Sequence, residues 1–337
     1  MSLSNPRPTD PAPLPTRLTQ RLGLRHPVVL APMAMAAGGR LAGAVSQAGG
    51  LGMIGGGYGD RAWIDAQFDA AGDVGVGCGL ITWALARSPD VLDAVLTRRP
   101  RAVMFSFGDP RPYASRVLAA AVPLICQIHN RTDAEMALEA GANILVAQGA
   151  DAGGHGDQRR GTFTLVPEIA DLIAARSPET LLCAAGGIAD GRGLAAAIVL
   201  GADGVLVGSR LWATREAAVS EAMHVAATDA SGDDTVRTRV MDIARRLDWP
   251  ERFTARVLRN RFTETWHGHE DDLRAAGEDV SREWSEGWTA GDPERASTFV
   301  GEAVGLIDAI EPAAAVIERM TSQAAALLGR GSRLHGP

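Results

Sequence analysis

The chain is poor in the features that mark several large classes of protein. It holds only three cysteines, Cys78, Cys126 and Cys183, in 337 residues. An odd number, each inside an apolar run ("VGCGLI", "PLICQI", "LLCAAG"), reads as reduced core thiols rather than a disulfide framework, and fits a reducing compartment. No Cys-x-x-Cys, Walker loop or Gly-x-Ser-x-Gly elbow occurs. The formal charge is −7, with arginines scattered among acids, so there is no basic stripe to track a phosphate backbone, and nucleic acid is not an expected partner. No stretch reaches the roughly 20 consecutive apolar residues that a membrane helix needs. Residues 1–18, with five prolines and no apolar signal-like region, read as a mobile N-terminal arm. A cytoplasmic protein with no membrane partner is the expectation.

What the chain does have is a repeated rhythm. Hydrophobic residues make up 46% and charged residues 22%, an ordinary globular mixture. From residue 28 eight short apolar runs, each followed by a polar or glycine turn and an Ala/Leu-rich helical pattern, begin at Val28, Leu51, Val74, Ala102, Pro123, Asn143, Leu181 and Gly204. The runs are nearly continuously apolar, as parallel strands buried on both faces should be. Thr132 or Asp133 would cap the helix in "RTDAEMALEAGA" and Gly141 stop it; Asp190 and Gly201 would do the same in "DGRGLAAAIVLGA".

Eight strand–helix units predict an α/β fold, a (β/α)8 TIM barrel, with an open doubly wound sheet as the structural alternative. After residue 215 the rhythm breaks. Residues 216–300 show no clear strand and read as a helical insertion between strand 8 and its helix, a substrate or lid domain, whose Trp249, Trp266, Trp284 and Trp288 are expected to pack that domain rather than wall a pocket. Residues 19–215 and 301–330 would form the barrel, the segment from Gly301 being a helix interrupted at Pro312.

Glycines gather at the strand ends: Gly55 to Gly57, Gly77, Gly79, Gly149, Gly153, Gly154, Gly186, Gly187 and Gly208. Together they would line one rim of the barrel, where exposed backbone N–H groups suit a phosphate and a flat ring. The loops after strands seven and eight, "AAGGIADG" and "VLVGSR", point to a phosphate-bearing ligand near Gly187, Gly208 and Ser209. "VLAPMA" puts Ala31, Pro32 and Met33 at the mouth, where the Met33 thioether would lie against a ring or pack in the core. His155 follows the sixth strand in a Gly-Gly turn; an imidazole there can move a proton at neutral pH, or simply face solvent. His129 ends the fifth strand on the same rim, and with Met35 it is a candidate for touching substrate. "HGH" at His267 to His269 lacks a third ligand at a metal-site spacing, so no metal is expected.

These motifs, "APM" at Ala31, "AVSQAGGLGMIG" at Ala44, "AQGADAGGHG" at Ala147, "TLVPEI" at Thr164 and "AAGGIADGRGLAAAIVLGADGVLVGSR" at Ala184, resemble the nitronate monooxygenase (2-nitropropane dioxygenase-like) family. The resemblance implies an FMN-dependent barrel with FMN held by Ala31, Pro32, Met33, Gln148, Gly153, Gly186, Gly187, Leu206, Val207, Gly208 and Ser209. It makes His155 the general base that removes the proton next to a nitro group, and implies that alkyl nitronates or nitroalkanes are oxidised with O2 to a carbonyl compound and nitrite. The implied partners are a small-molecule substrate and O2, with a homo-oligomer left open. Three positions depart from the family pattern: Gly79 stands on the FMN side where an asparagine is usual, Asp151 replaces a glutamate, and "PMAMAAG" replaces "PMAG". An NAD(P)H-dependent FMN reductase of the enoyl-ACP reductase type and a non-catalytic flavin-binding protein are the alternatives; Gln148 favours the monooxygenase, since the reductases usually read "AEG" there.

Overall fold

The computed structural model describes residues 14–331. Its strands are β1 (Val28–Leu30), β2 (Met53–Gly55), β3 (Gly77–Ile81), β4 (Val103–Ser106), β5 (Leu124–Ile128), β6 (Ile144–Gln148), β7 (Gly154–Gly156), β8 (Leu181–Ala185), β9 (Gly204–Val207), β10 (Thr235–Thr238) and β11 (Thr254–Leu258). Eight of them form one parallel sheet in the order β1-β9-β8-β6-β5-β4-β3-β2. A parallel bridge between Val29 and Leu51 joins its two edges, with Leu30 N donating to Leu51 O and Leu51 N donating to Val28 O, each at 2.9 Å. The result is the expected (β/α)8 barrel.

Side chains alternate between two apolar environments along each strand, which is why the runs read as unbroken. Val29, Met53, Met104, Ile125, Val146, Cys183 and Leu206 fill the interior. Val28, Leu30, Cys78, Phe105, Cys126, Leu145, Leu182 and Val207 face the surrounding helices. All three cysteines are free and buried; burial pushes the Cys78 and Cys126 thiols up to about 12 and raises Cys183 as well, so none is a ready nucleophile. On β3 the inward positions are glycines because their space is taken. A Cβ on Gly77 would lie 2.3 Å from Met53 Sδ, and one on Gly79 2.3 Å from Pro32 Cγ.

Residues 17 and 18, placed at the end of the mobile arm by their sequence, are the first turn of a helix, Arg17–Leu22, capped by Thr16; the arm up to residue 13 lies outside the described residues. Leu18 is fully buried in the barrel interior and reaches Gly204 at the start of β9, so this helix plugs the end opposite the glycine rim. The cap of the helix Arg131–Glu139 is Asn130, two or three residues before the expected Thr132 or Asp133, whereas Asp190 caps Gly191–Val199 as expected.

The 216–300 segment differs from an all-helical insertion. It contains helices Glu221–Thr228, Val240–Ala244, Arg261–Trp266, Glu270–Ala276 and Glu278–Ala290, but also β10 and β11. β11 pairs antiparallel with both β10 and β7, so the insertion shares a three-stranded sheet with the loop that follows β6. Arg237 and Arg256 face each other across β10 and β11, and both donate to Ala150 O, tying the sheet to that loop. The segment has its own apolar core, including Met223, Val236, Val257, Leu273 and Trp284. Residues 301–312 are likewise not a helix broken at Pro312: a short 3-10 turn, Glu302–Leu306, precedes the helix Ala313–Gly331. The Glu216 carboxylate accepts from Ala313 N at 3.0 Å and caps that helix across the insertion. Among the described residues no helix is long and apolar enough to cross a membrane.

Candidate active site

At the C-terminal ends of the barrel strands lies a cavity of about 560 Å³, closed over by the 216–300 segment. Its wall brings together Ala31, Pro32, Met33, Met35, Gly79, Gln148, Gly153, His155, Gly186, Gly187, Leu206, Gly208 and Ser209. Two of the expected residues are not on that wall. Val207 points outward among the helices and touches the site only through its carbonyl, which accepts from Ala31 N at 2.9 Å. His129 is 3% exposed and sits behind Gln148, so it acts on the cavity through that residue rather than by touching its contents.

Backbone conformation explains the glycines where the chain turns sharply. Gly186 and Gly187 have φ of 103° and 71°, the left-handed region that L side chains avoid. Gly153 packs so tightly on the chain at Gly301 that a Cβ would sit 2.4 Å from Gly301 N. Asp151, the shorter acid, lines the cavity and accepts with one oxygen from Thr162 N at 2.8 Å and Thr162 Oγ1 at 2.7 Å, so it also fixes the loop. Gly301 N in turn donates to Ser209 Oγ at 2.9 Å.

His155 lies in β7, held by pairing with Ala255 of β11. Its Nε2 is 2.9 Å from Asp242 Oδ2 and 3.0 Å from Asp242 Oδ1, and its ring stacks on Trp249 with centroids 3.6 Å apart and planes 5° apart. An ionised carboxylate only accepts, so the paired Nε2 carries a hydrogen, and in the neutral ring Nδ1 is the nitrogen with the lone pair. Asp242 itself is 2% exposed, on the helix Val240–Ala244. This buried acid, absent from the sequence-based candidates, is 87 residues away in the chain.

A second polar chain runs behind Gln148. Its Oε1 accepts from His129 Nε2 at 2.8 Å and from Gln127 Nε2, while Ser106 Oγ donates to Gln127 Oε1 at 2.9 Å. With its oxygen engaged, Gln148 turns its amide nitrogen toward the loop, donating to the His155 carbonyl at 3.3 Å. Asp133 lies beside His129 and forms a two-pronged ion pair with Arg252 of the insertion. Burial raises the Asp133 carboxyl, but hydrogen bonding from His129 and Arg252 outweighs it and holds the group down at about 2.

Several aromatic side chains complete the wall. Tyr58, Phe107, Trp249, Trp284, Trp288 and Phe299 line the cavity, so three of the four insertion tryptophans do wall the pocket, and Trp266 alone is left to packing. Phe107 meets Trp249 edge to face at 5.0 Å, and Trp284 stacks on Trp288 at 5.5 Å. Arg245 also lines the cavity, its guanidinium over the Tyr58 and Trp284 rings. His267 and His269 lie away from it, and no group of three or more His, Cys, Asp or Glu side chains that could hold a metal occurs among the described residues.

Comparison with known proteins agrees with this geometry. A profile of the family described as nitronate monooxygenase matches residues 15–71 and 84–323. The nitronate monooxygenase npaC of Metarhizium robertsii is 34% identical, over 89% of this chain and 91% of that one, and a nitronate monooxygenase of Neurospora crassa is 32% identical over 89% of each. Among solved structures, FabK from Thermotoga maritima superimposes with a TM-score of 0.82 at 32% identity, covering 95% of this chain and 99% of FabK. The nitroalkane oxidase of Streptomyces ansochromogenes superimposes with a TM-score of 0.76 at 25% identity, covering 91% and 98%. The chain belongs to the nitronate monooxygenase family of flavin-dependent oxidoreductases.

Proposed function

We propose that the protein oxidises alkyl nitronates, and the nitroalkanes from which they derive, with O2 to a carbonyl compound and nitrite, using FMN in the cavity and His155 as general base. The observation that carries the reading is His155: a cavity-lining imidazole with one nitrogen fixed by a buried carboxylate and one face fixed by an indole. Nδ1 would take the proton from the carbon bearing the nitro group. The Asp242 carboxylate would stabilise the imidazolium so formed, and the Trp249 face would add a cation–π contribution. A nitronate has already lost that proton and needs no base.

The residues fit a flavin. A Cβ on Gly208 would meet nothing nearer than Ala31 Cβ at 3.7 Å, so any side chain there would grow into the cavity; glycine leaves that room. A cavity of about 560 Å³ is also within the range of cofactor sites. Ala31 to Met33, Gln148, Gly153, Gly186, Gly187, Leu206, Gly208 and Ser209 would hold the cofactor, with its phosphate toward the loops after β8 and β9. Bound there, the flavin supplies the electron acceptor and the reactivity with O2. Residues 216–300 would serve as the lid that keeps water from the proton-transfer site.

The test is to release the cofactor by denaturation, identify it by mass, and measure nitrite from an alkyl nitronate in air. FMN and nitrite are the expected results. Mixing with NADPH under argon separates the reductase reading: bleaching of the flavin by NADPH, with no nitrite from nitronate, would overturn the monooxygenase.

A further inference from the structure

We propose that the Tyr58 hydroxyl is the hydrogen-bond donor that binds the anionic oxygens of the substrate, with Arg245 and Trp249 as the residues that aim it. This names an oxyanion subsite for the reaction proposed above, and rests on that reading only for the identity of the oxyanion. Three observations support it. A phenol has one hydrogen to give and two lone pairs to offer. Here the oxygen already accepts from Trp249 Nε1 at 3.1 Å and from Arg245 Nη1 at 3.4 Å. With both lone pairs engaged, the hydrogen remains, and no described residue accepts it. Tyr58, Arg245 and Trp249 all line the cavity, so the free donor belongs to the space where substrate must sit.

The surroundings favour an anion. Arg245 has no carboxylate within ion-pair distance among the described residues; Asp242, three residues earlier, pairs with His155. Its charge is instead held against the Tyr58 and Trp284 rings, 5.3 Å and 5.5 Å from their centroids. A guanidinium hydrogen-bonded to a phenol oxygen makes that phenol a better donor to a negative acceptor. Burial raises the Tyr58 pKa above its usual value, which outweighs the lowering by Arg245 and keeps the hydroxyl protonated at neutral pH. Trp249 links this donor to His155 through one side chain, its ring edge on Tyr58 and its face on the imidazole. An oxyanion at Tyr58 and a carbon near His155 are thus addressed together.

The test is Tyr58→Phe, which removes one oxygen and leaves the ring. In the flavin-loaded protein, nitrate, a planar oxyanion that undergoes no turnover, is titrated by tryptophan fluorescence and by inhibition. Loss of a hydrogen bond to a charged group should weaken nitrate binding about tenfold or more. With alkyl nitronate KM should rise by a similar factor, with kcat within about twofold. Arg245→Gln should weaken nitrate binding in the same direction. An unchanged nitrate Kd in Tyr58→Phe overturns the proposal, whatever happens to kcat. Nitrate binding is read independently of nitrite release, so a wild-type protein that binds nitrate through Tyr58 but oxidises no nitronate would sink the assigned reaction and leave the subsite standing.

Discussion

His155 and Asp242 meet at 2.9 Å across 87 residues of sequence, one from the loop after β6 and the other from the insertion. The barrel alone therefore does not complete the site: it supplies the imidazole, and the insertion supplies the carboxylate that sets its tautomer. Asp242→Asn keeps the shape but loses the charge. With a neutral nitroalkane, nitrite release should fall by about 100-fold, within the span of general-base effects. With the preformed nitronate it should change far less. His155→Ala should show the same split, more strongly. Equal losses on both substrates would mean the pair does something other than take a proton.

The cradle at Gly208 makes a separate prediction about the cofactor. Gly208→Val adds a side chain whose Cβ has room against the protein but whose branches enter the cavity. The variant should fold, with unchanged circular dichroism, and purify with little or no flavin. Full flavin content would place the cofactor elsewhere.

How much of this could be read from the chain depends on what kind of residue carried the signal. The eight apolar runs correspond to the eight barrel strands because burial on both faces leaves few polar residues in them, and Ser106, Gln127 and Gln148 come only toward the C-terminal ends that meet the cavity. β10 and β11 were hidden for the opposite reason. "TVRT" and "TARVL" carry Arg237 and Arg256, which look like solvent residues until their guanidinium groups are seen to fold back onto the Ala150 carbonyl. The glycine rim and His155 were legible from composition and position. Asp242, Tyr58 and Arg245 were not, since a tyrosine in the barrel and an acid and an arginine in the insertion, more than 180 positions away, acquire their meaning only when the insertion closes over the barrel.

The plug at the other end of the barrel should matter for stability and not for chemistry. Leu18 is fully buried among the interior side chains, against the start of β9. Leu18→Ala should cost roughly 2–5 kcal/mol in urea unfolding, the range for a buried leucine that leaves a cavity. Flavin content and the KM for nitronate should be unchanged at a temperature where the variant is folded. A neutral effect on stability would return residues 17 and 18 to the arm.

His26, just before β1, should govern part of the acid sensitivity. Its side chain is wholly buried and neither ring nitrogen has a hydrogen-bond partner. Burial, helped by the charge of Arg25, lowers its pKa to about 4 from an ordinary 6.5. The folded protein therefore holds this ring neutral where the unfolded chain would protonate it. Stability tied to His26 is complete above pH 6.5 and is lost as the pH falls toward 4, because the unfolded state takes up a proton that the folded state refuses. His26→Leu removes the titrating group. The fall in Tm between pH 7 and pH 5 should be smaller in the variant than in the wild type, whatever their relative stability at pH 7. The same fall in both would mean that other groups carry the acid response.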